Sequence, residues 1–113
     1  SEFAVMTGNG TVLLDALKAG ATGGILAVGC AVPEVCLEVF QLFGVGEIEQ
    51  AELLQSKLTP FAAAVTTRFG IGGLKAAMDI AGYRGGPVRQ PLASPTDQQV
   101  AEIETLLNDL IDN

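Results

Sequence analysis

Two short apolar segments that end in glycine constrain the fold of this chain more than any other feature. Residues 3–6 (Phe-Ala-Val-Met) run into Thr-Gly-Asn-Gly at 7–10, and residues 23–28 are followed by another glycine. Apolar runs of this length, bounded by glycine, are typical of buried strands. The segment between them, residues 11–18, is rich in helix formers and is followed by Ala-Gly. We therefore predict a right-handed βαβ unit whose two strands are parallel.

A parallel pair of this kind is not a complete fold. Parallel strands are covered on both faces in nearly all known sheets, and two strands alone do not form a stable sheet. The chain has 113 residues, of which 49% are apolar and 17% are charged, so it carries more apolar surface than a free-standing domain of its size usually does. We expect part of that surface to be covered by protein outside this sequence or by a second copy of the chain.

The sequence after the second strand predicts helices almost throughout. Pro33 suits the first turn of a helix that ends at Gly44. Apolar residues from 48 to 58 recur at helical spacing, and Pro60 is expected to kink or break that helix because it removes a backbone donor. Helical sequence resumes beyond it, and after a glycine-rich stretch residues 74–81 predict a further short helix.

The last helix has the clearest signal at its start. Ser94 with Asp97 three residues later is a capping-box-like start, and Pro95 falls at the first helical position. Apolar residues from 100 to 111 then recur at the spacing of an amphipathic helix. Residues 83–91, which precede this helix, predict a loop because Gly-Gly-Pro is a turn signal.

Charge and residue composition exclude several classes of function. The formal net charge is −7, from 13 acidic and 6 basic residues, and the basic residues do not cluster. We therefore expect no nucleic acid as a partner and no binding to an anionic membrane surface. No histidine is present, which removes Ser-His and Cys-His nucleophiles and the usual zinc ligand sets. The two cysteines do not make a disulfide framework.

Signals for membrane insertion and export are also missing from the sequence. No stretch reaches the roughly 18 apolar residues that a transmembrane helix needs. The segment Ser1-Glu2-Phe3 has no basic region followed by an apolar region, so we expect no signal peptide here. It also has no initiator methionine, and we expect that the chain was processed or expressed from an internal position.

The turn at residues 7–10 is the best local candidate for a binding site. The first free N–H groups of the helix that follows would point toward the strand end and offer partial positive charge to a carboxylate or a phosphate. The alternative, which is the more frequent one for such a motif, is a tight βα turn that needs glycine only for its backbone angles. Parallel strands would in either case place Val28-Gly29-Cys30 beside Gly8.

No residue of a reactive type has sequence surroundings that would activate it. Cys30 has no cationic neighbour in the sequence, so we expect it to be a small buried side chain. Lys18, Lys57 and Lys75 lie in predicted helices, not at strand ends. A Schiff-base lysine must be desolvated or close to another cation to react, and we expect all three lysines to be solvated.

Several stretches of sequence carry a resemblance to a known enzyme family. They are residues 3–8 (FAVMTG), 20–27 (GATGGILA), 65–71 (VTTRFGI) and 73–79 (GLKAAMD), the last of which continues through 81–92 (AGYRGGPVRQPL). Together they resemble the dihydrodipicolinate synthase/N-acetylneuraminate lyase family of class I aldolases. Within that family the chain is most similar to 4-hydroxy-2-oxoglutarate aldolase and to 2-keto-3-deoxy-sugar-acid aldolases. The resemblance covers nearly the whole chain, and its Gly-Gly-Pro-Val-Arg-x-Pro-Leu element is quite specific.

The resemblance implies the C-terminal portion of a (β/α)8 barrel followed by a helical extension, an α/β fold that is mostly α by content. The two strands would be strands seven and eight of the barrel. Residues 1–45 would form the last two βα units and residues 46–113 the C-terminal helical extension, together a single compact unit. A complete barrel typically needs about 250 residues, so the chain would be only its last part.

The resemblance also implies where a substrate would bind. Enzymes of this family hold pyruvate or a 2-keto acid as an imine on a lysine of strand six, with a tyrosine from strand five and a Thr/Ser pair after strand two. All three elements would precede residue 1, so no catalytic residue is expected in this chain. Gly8 matches a glycine that lines the substrate pocket, and Ile25 matches a position whose backbone faces that pocket. Asn9 stands where many relatives carry an acid, which argues against the diaminopimelate-pathway enzyme.

The expected function is that of a fragment of a pyruvate-dependent aldolase or lyase that needs neither a metal nor another cofactor. The fragment itself is expected to be inactive, because the lysine and the tyrosine are missing. Its partners would be a 2-keto acid, the N-terminal part of the same barrel, and further copies in a homo-oligomer. Two alternatives remain open: a structural fragment that self-associates through the open barrel edge, and one half of a split enzyme. The expected location is intracellular, either cytoplasmic or mitochondrial.

Overall fold

A pair of parallel strands and five α-helices make up the structure, a computed structural model that describes residues 3–112. Strand β1 is Met6–Thr7 and strand β2 is Gly23–Gly24, with helix α1, Leu13–Lys18, between them. The other helices follow in chain order: α2 is Pro33–Gly44, α3 is Ile48–Ala63, α4 is Gly70–Ile80 and α5 is Asp97–Asp112. Two 3-10 turns, Gly10–Val12 and Ala27–Cys30, and one π-helical turn, Ala64–Arg68, complete the elements.

The two strands pair in parallel, as predicted, but they are much shorter than the sequence suggests. Thr7 lies opposite Gly24, and Ile25 N donates to Thr7 O at 2.9 Å. The predicted bounds, residues 3–6 and 23–28, are wrong, since only the last residue of the first range and the first two of the second belong to a strand. Among the described residues no further strand pairs with either edge, so no ladder keeps the flanking residues extended.

The end of the second predicted strand forms the 3-10 turn at Ala27–Cys30 instead. In such a turn, side chains three residues apart lie on one face. Val28 and Ala31 are accordingly both buried, whereas Cys30 is exposed. The expectation that Cys30 is a small buried side chain is therefore wrong, because the turn rotates it away from the core.

Helix α3 lies at the centre of the core and contacts α1, α2, α5 and the turn at Gly10–Val12. Its side chains Leu58 and Phe61 are fully buried. The other helices add apolar side chains to the same cluster: Leu13, Leu14 and Leu17 from α1, Val39 from α2, Ala77 from α4, and Ile103, Leu107 and Leu110 from α5. Each large side chain buried in this way contributes roughly 1.5–3 kcal/mol. The core is therefore mainly helical.

Pro60 does not break helix α3. The helix runs from Ile48 to Ala63 with Pro60 inside it, and it continues directly into the π-helical turn at Ala64–Arg68. The next two residues after the proline are buried in the core, so packing of this helix outweighs the cost of one missing backbone donor. The predicted break is wrong, whereas the predicted continuation of helix beyond Pro60 is confirmed.

Helix α4 begins inside the glycine-rich stretch, earlier than the predicted start at residue 74. Its first residue is Gly70. Gly72 is buried, and a Cβ at this position would lie 2.5 Å from the carbonyl oxygen of Ala93. The segment that leads to α5 thus crosses α4 so closely that only glycine fits. Gly72 therefore allows a close approach of backbone to helix, whereas Gly70, with a φ of 65°, lies at the boundary between the π-helical turn and α4.

A capping box starts α5, but it is formed by different residues from those predicted. Gln99 N donates to Thr96 Oγ1 at 3.2 Å, and Thr96 N donates to Gln99 Oε1 at 3.0 Å. The helix therefore begins at Asp97. The assignment of the box to Ser94 and Asp97 is wrong, and Pro95 precedes the cap and is not the first helical residue. The longer glutamine side chain reaches back to the cap amide, which aspartate does less well.

Candidate functional site

The carboxyl ends of β1 and β2 lie side by side and bring together Gly8 and Ile25, the two residues that the resemblance places at a substrate pocket. Gly8 follows β1 and Ile25 follows β2, and the Ile25 amide donates to Thr7 O at 2.9 Å. A Cβ built on Gly8 would meet no atom within 4 Å, so open space adjoins its backbone. The side chain of Ile25 is 77% exposed. The two residues thus share one open edge of the sheet.

The turn after β1 is closed by hydrogen bonds within the chain. Asn9 Oδ1 accepts from Thr11 N at 2.9 Å and from Thr11 Oγ1 at 2.8 Å, and Val12 N donates to Asn9 O at 3.2 Å. Leu14 N donates to a side chain of α3. An anion would have to displace these contacts to reach the three amides. The geometry therefore favours the tight βα turn over the anion site that the sequence also allowed.

A glutamine from α3 completes this turn. Gln55 Nε2 donates to Gly10 O at 3.0 Å, and Gln55 Oε1 accepts from Leu14 N at 3.0 Å. Thr59, one turn later on α3, accepts from Gln55 Nε2 at 3.1 Å. The backbone partners lie 45 and 41 residues away in the sequence, so no local pattern marks Gln55 as part of the site.

Gly10 lies where this turn meets the core. It is buried, and a Cβ at this position would lie 2.5 Å from Val28 Cγ1 and 3.6 Å from Ala62 Cβ. Val28 belongs to the turn after β2, and Ala62 belongs to α3. The backbone can approach both elements only because residue 10 is glycine. This contact joins the ends of the two strands to the helix behind them.

An open cavity of about 410 Å³ lies beside β2 and α2, and we call it the apolar groove. Its lining includes Met6, Gly23, Cys36, Leu37 and Phe40. Leu37 is 54% exposed and Phe40 is 42% exposed, although both side chains are large and apolar. A contiguous exposed apolar surface of this kind is typical of an interaction surface.

Cys36 lines the apolar groove, and its surroundings make it a poor nucleophile. Loss of solvation raises the pKa of the Cys36 thiol to about 11, against the opposing effect of a backbone hydrogen bond and with a further rise from the charge of Glu34. The thiolate is the reactive form of cysteine. At neutral pH the side chain is therefore protonated and does not support a catalytic role.

The three lysines lie on helices, as predicted, and not at the strand ends. Lys18 on α1 pairs with Glu52 on α3 at 2.7 Å, with both side chains partly exposed. Lys75 on α4 donates to Gly85 O at 3.0 Å. Lys57 and Lys75 are half-buried, which is less solvated than we predict for them. None of the three is placed at the open edge formed by Gly8 and Ile25.

Within residues 3–112, no group of three or more His, Cys, Asp or Glu side chains is arranged to hold a metal ion.

Of the helices described in that same range, none is both long enough and apolar enough to cross a membrane.

Comparison with known proteins shows the family of this chain. The family model described as the dihydrodipicolinate synthetase family matches residues 1–110, which is nearly the whole sequence. The chain belongs to this family. The resemblance read from the sequence is thereby confirmed at the level of the family, whereas a closer similarity to 4-hydroxy-2-oxoglutarate aldolase is not shown.

Three relatives indicate how much of a family member the chain represents. It is 31% identical over 110 residues to the 4-hydroxy-tetrahydrodipicolinate synthase of Methanothrix thermoacetophila, covering 97% of this chain and 37% of that protein. It is 30% identical over 109 residues to an uncharacterised DapA-like lyase of Halobacterium salinarum, covering 96% and 36%. The crystal structure of a dihydrodipicolinate synthase superposes with a TM-score of 0.84 at 27% identity, over 96% of this chain and 38% of that one. The chain spans little more than a third of the length of these relatives.

The structural neighbours are (β/α)8 barrel proteins of the family, and one of them is covered to 37% of its length by this chain. The prediction that the chain corresponds to part of such a barrel is confirmed in this form. The assignment of β1 and β2 to particular strands of the barrel stays a prediction.

Proposed function

We propose that this chain is the C-terminal part of a pyruvate-dependent class I aldolase that forms or cleaves a 2-keto acid through a Schiff base. The observation that carries the proposal is a parallel strand pair whose carboxyl ends meet at Gly8 and Ile25, in a chain of the dihydrodipicolinate synthetase family. Active sites of (β/α)8 barrels lie at the carboxyl ends of the strands. This edge is therefore where the chain would meet a substrate.

In this proposal β1 and β2 are strands seven and eight of the barrel. Residues 1–45 are the last two βα units, and residues 46–113 are the C-terminal helical extension. Because the chain spans 37% of the length of the Methanothrix relative, a complete enzyme has room for the six preceding βα units that an eight-stranded barrel requires.

Gly8 and Ile25 line the proposed keto-acid pocket. The space beside Gly8 supports this role, since no atom lies within 4 Å of a Cβ built there and a ligand could approach the backbone. The backbone of Ile25 is held in place by its hydrogen bond to Thr7 O. Asn9 stands where many of the resembling enzymes carry an acid. This difference favours 4-hydroxy-2-oxoglutarate or a 2-keto-3-deoxy sugar acid as the substrate.

The proposed chemistry depends on a lysine that this chain does not supply. An iminium formed from a lysine and the keto acid acts as an electron sink and stabilises the enamine as the C–C bond breaks. The barrel would supply a dry pocket that keeps the lysine partly neutral and donors that hold the carboxylate. Lys18 is paired with Glu52, and the other two lysines also lie on helices. We therefore expect the chain alone to be inactive.

The proposed partner of the apolar groove is the preceding part of the same barrel. Leu37 and Phe40 are exposed in the groove, and within the described part of the chain the outer edges of β1 and β2 have no strand beside them. Six further βα units would pair with these edges and cover the groove. We also propose that the complete enzyme is an intracellular homo-oligomer.

Reductive trapping tests the proposed function. The chain is treated with pyruvate and borohydride, alone and mixed with a polypeptide that carries the first six βα units of the Methanothrix relative, and each product is weighed by mass spectrometry. We expect no adduct on the chain alone and one pyruvate on the added polypeptide in the mixture. A stoichiometric adduct on Lys18, Lys57 or Lys75 would overturn the expected inactivity. A complex of the two polypeptides that forms no pyruvate adduct would overturn the proposed keto-acid pocket.

A substitution at Gly8 tests where the pocket lies, in the same mixture of the two polypeptides. Gly8→Leu would fill the open space at the strand end, so we expect a higher KM for the keto acid. Gly44→Leu is the matched control, because a Cβ at Gly44 also meets no atom within 4 Å but lies at the far end of α2. An equal effect of both substitutions would contradict the placement of the pocket at Gly8.

A second candidate function is a structural fragment that associates with itself. The unpaired strand edges and the exposed side chains of the apolar groove favour this. Light scattering should then show a dimer that Phe40→Asp dissociates. The control is Leu53→Asp, at an exposed position on α3 that does not line the groove. A monomer at high concentration would count against this candidate, and keto-acid cleavage restored on mixing would support the split-enzyme alternative.

A further inference from the structure

We infer that Gln55 is a positioning residue whose side-chain amide holds the turn that carries Gly8 against α3. The contact itself is a property of the structure alone. Its importance for catalysis rests on the proposed function, since it is the proposed pocket that makes the position of this turn matter. The inference assigns to the helical extension, residues 46–113, a part in shaping the strand end.

Both polar ends of the Gln55 amide are used in the contact. The nitrogen donates to Gly10 O and the oxygen accepts from Leu14 N, each at 3.0 Å. Among uncharged side chains, only asparagine and glutamine combine an NH₂ donor and a carbonyl acceptor in one group. Thr59 fixes the orientation of the amide, because its hydroxyl accepts from Gln55 Nε2 at 3.1 Å and donates to Gln55 O at 2.8 Å.

The acceptor that Gln55 offers is one that α1 cannot supply. Leu14 is the second residue of α1, so its N–H has no acceptor inside the helix. Helix α1 has six residues, and helices of this length are not stable in isolation. The start of α1 therefore depends on the oxygen that α3 provides and on the packing of its leucines.

The donor end of the amide fixes the other side of the same turn. Gly10 O is held by Gln55, and the backbone of Gly10 is wedged between Val28 and Ala62. Residues 10 and 14 are thus anchored to α3 together, and Gly8 lies only two positions before the first anchor. A side chain far away in the sequence therefore fixes the geometry of the strand end that would face the keto acid.

Amide hydrogen exchange, followed by NMR on the chain itself, tests this role. In Gln55→Ala we expect the Leu14 amide to exchange about fivefold faster, the factor that corresponds to one ordinary hydrogen bond, and the amide resonances of Gly8 and Asn9 to shift. The matched control is Ser56→Ala, on the same helix, because the Ser56 hydroxyl donates to Leu53 O in α3. An unchanged exchange rate at Leu14 in Gln55→Ala would overturn the inference.

A second variant keeps the test decisive if Gln55→Ala does not fold. Gln55→Glu has the same shape, and its carboxylate can still accept from Leu14 N but cannot donate to Gly10 O. We expect it to unfold at lower urea than the wild type at pH 7. Protonation would restore the donor to Gly10 O, so we expect the pKa of the new carboxyl to lie above its ordinary value of about 4.3. The difference in the urea midpoint between wild type and Gln55→Glu should therefore become smaller as the pH falls through that raised pKa.

The other charged groups within one turn of the contact on α1 and α3 are Asp15, Lys18, Glu52 and Lys57. They are present in both proteins, so the difference between wild type and Gln55→Glu reports the new carboxyl. A difference in urea midpoint that stays constant from pH 4 to pH 8 would contradict the donor role of the amide. A difference that becomes smaller toward pH 4 would support it.

Neither measurement needs a keto acid, so the two proposals can fail separately. If Gln55→Ala loosens the turn but no pyruvate adduct forms in the reconstituted barrel, the positioning role stands and the proposed function falls. If the adduct forms and the turn is unchanged in Gln55→Ala, the function stands and the positioning role falls.

Discussion

This molecule has a strand end, made of β1, β2 and the apolar groove, and a helical end, made of α3 and α5. The two ends complete their interactions in different ways. Helices α3 and α5 form most of their backbone hydrogen bonds within one segment and bury side chains such as Phe61 and Ile103 completely. Strands β1 and β2 pair only with each other within the described residues, and the apolar groove beside them leaves Leu37 and Phe40 exposed. A helix can be complete within one segment, whereas a parallel strand needs neighbours on both sides. The comparison supports the proposal that the preceding part of the barrel covers the strand end.

Truncating one phenylalanine at each end should show the largest difference. Phe61 on α3 is fully buried, and Phe40 lines the apolar groove with 42% of its surface exposed. We expect Phe61→Ala to lower the free energy of unfolding by about 3–5 kcal/mol, and Phe40→Ala by about 1 kcal/mol. Urea denaturation followed by circular dichroism measures both. Equal losses would remove the distinction and indicate that the groove is already covered in solution.

Gly8 and Gly10 lie in the same turn of the strand end, and substitutions at the two positions should affect stability differently. A Cβ at Gly10 would collide with Val28, whereas a Cβ at Gly8 would meet nothing within 4 Å. We expect Gly10→Ala to destabilise the chain by about 1–3 kcal/mol through overpacking, and Gly8→Ala by less than about 0.5 kcal/mol. Thermal and urea unfolding of both variants checks this. A Gly8→Ala chain as unstable as Gly10→Ala would contradict the open edge.

At the helical end, the capping box of α5 gives a smaller and more local effect. Thr96→Ala removes the hydroxyl that accepts from Gln99 N, and we expect a loss of about 1 kcal/mol in the free energy of unfolding. Ser94→Ala changes the residue that the sequence pattern favoured and should leave stability within about 0.5 kcal/mol of the wild type. If Ser94→Ala were the more harmful of the two, the cap would have been assigned to the wrong residue.

An effect confined to alkaline pH concerns the acidity of Cys36 in the apolar groove. The thiol ionises near its ordinary value of 9.0 when the chain is unfolded and at about 11 when it is folded. The folded state therefore holds a proton that the unfolded state releases, so the free energy of unfolding should fall as the pH rises from about 9 toward 11. Cys36→Ala should remove this part of the slope in pH-dependent urea unfolding.

Alkylation at pH 8 compares the two cysteines directly. Cys30 is exposed and should react with iodoacetamide well before Cys36, whose thiolate is scarce at that pH. Mass spectrometry of partially alkylated chains measures the order. Faster modification of Cys36 would show that desolvation in the groove is weaker than the structure indicates.

Features that depend on neighbouring residues were predictable from the sequence. Helix α2 runs from Pro33 to Gly44, as its first-turn proline and terminal glycine indicate. Most of the apolar stripe of α5 is buried in the core, at Ile103, Leu107 and Leu110, as its spacing predicts, whereas Ile111 at its end is exposed. Both features arise within one segment, because helix periodicity and end signals are local properties.

Features that depend on distant contacts were predicted less well. Pro60 is tolerated because the residues that follow it pack in the core. Cys30 turns outward because β2 ends early and a 3-10 turn takes its place. Of the candidate site, Gly8 and Ile25 were named from a family resemblance and lie at one edge of the sheet. The Gln55 contact could not be found in this way, since a glutamine in a helix has no distinguishing local pattern.

The sequence by itself determined that two short segments form a parallel pair, that helices follow, and which family the chain belongs to. Apolar runs, glycine ends and family motifs are properties of contiguous residues, and they survive without knowledge of the neighbours. Only the tertiary structure decided how long the strands are, which side chains face outward, and which helix holds the turn after β1. These outcomes depend on groups as far apart as Gln55 and Gly10, 45 residues away in the sequence, which meet only when α3 packs behind the strands.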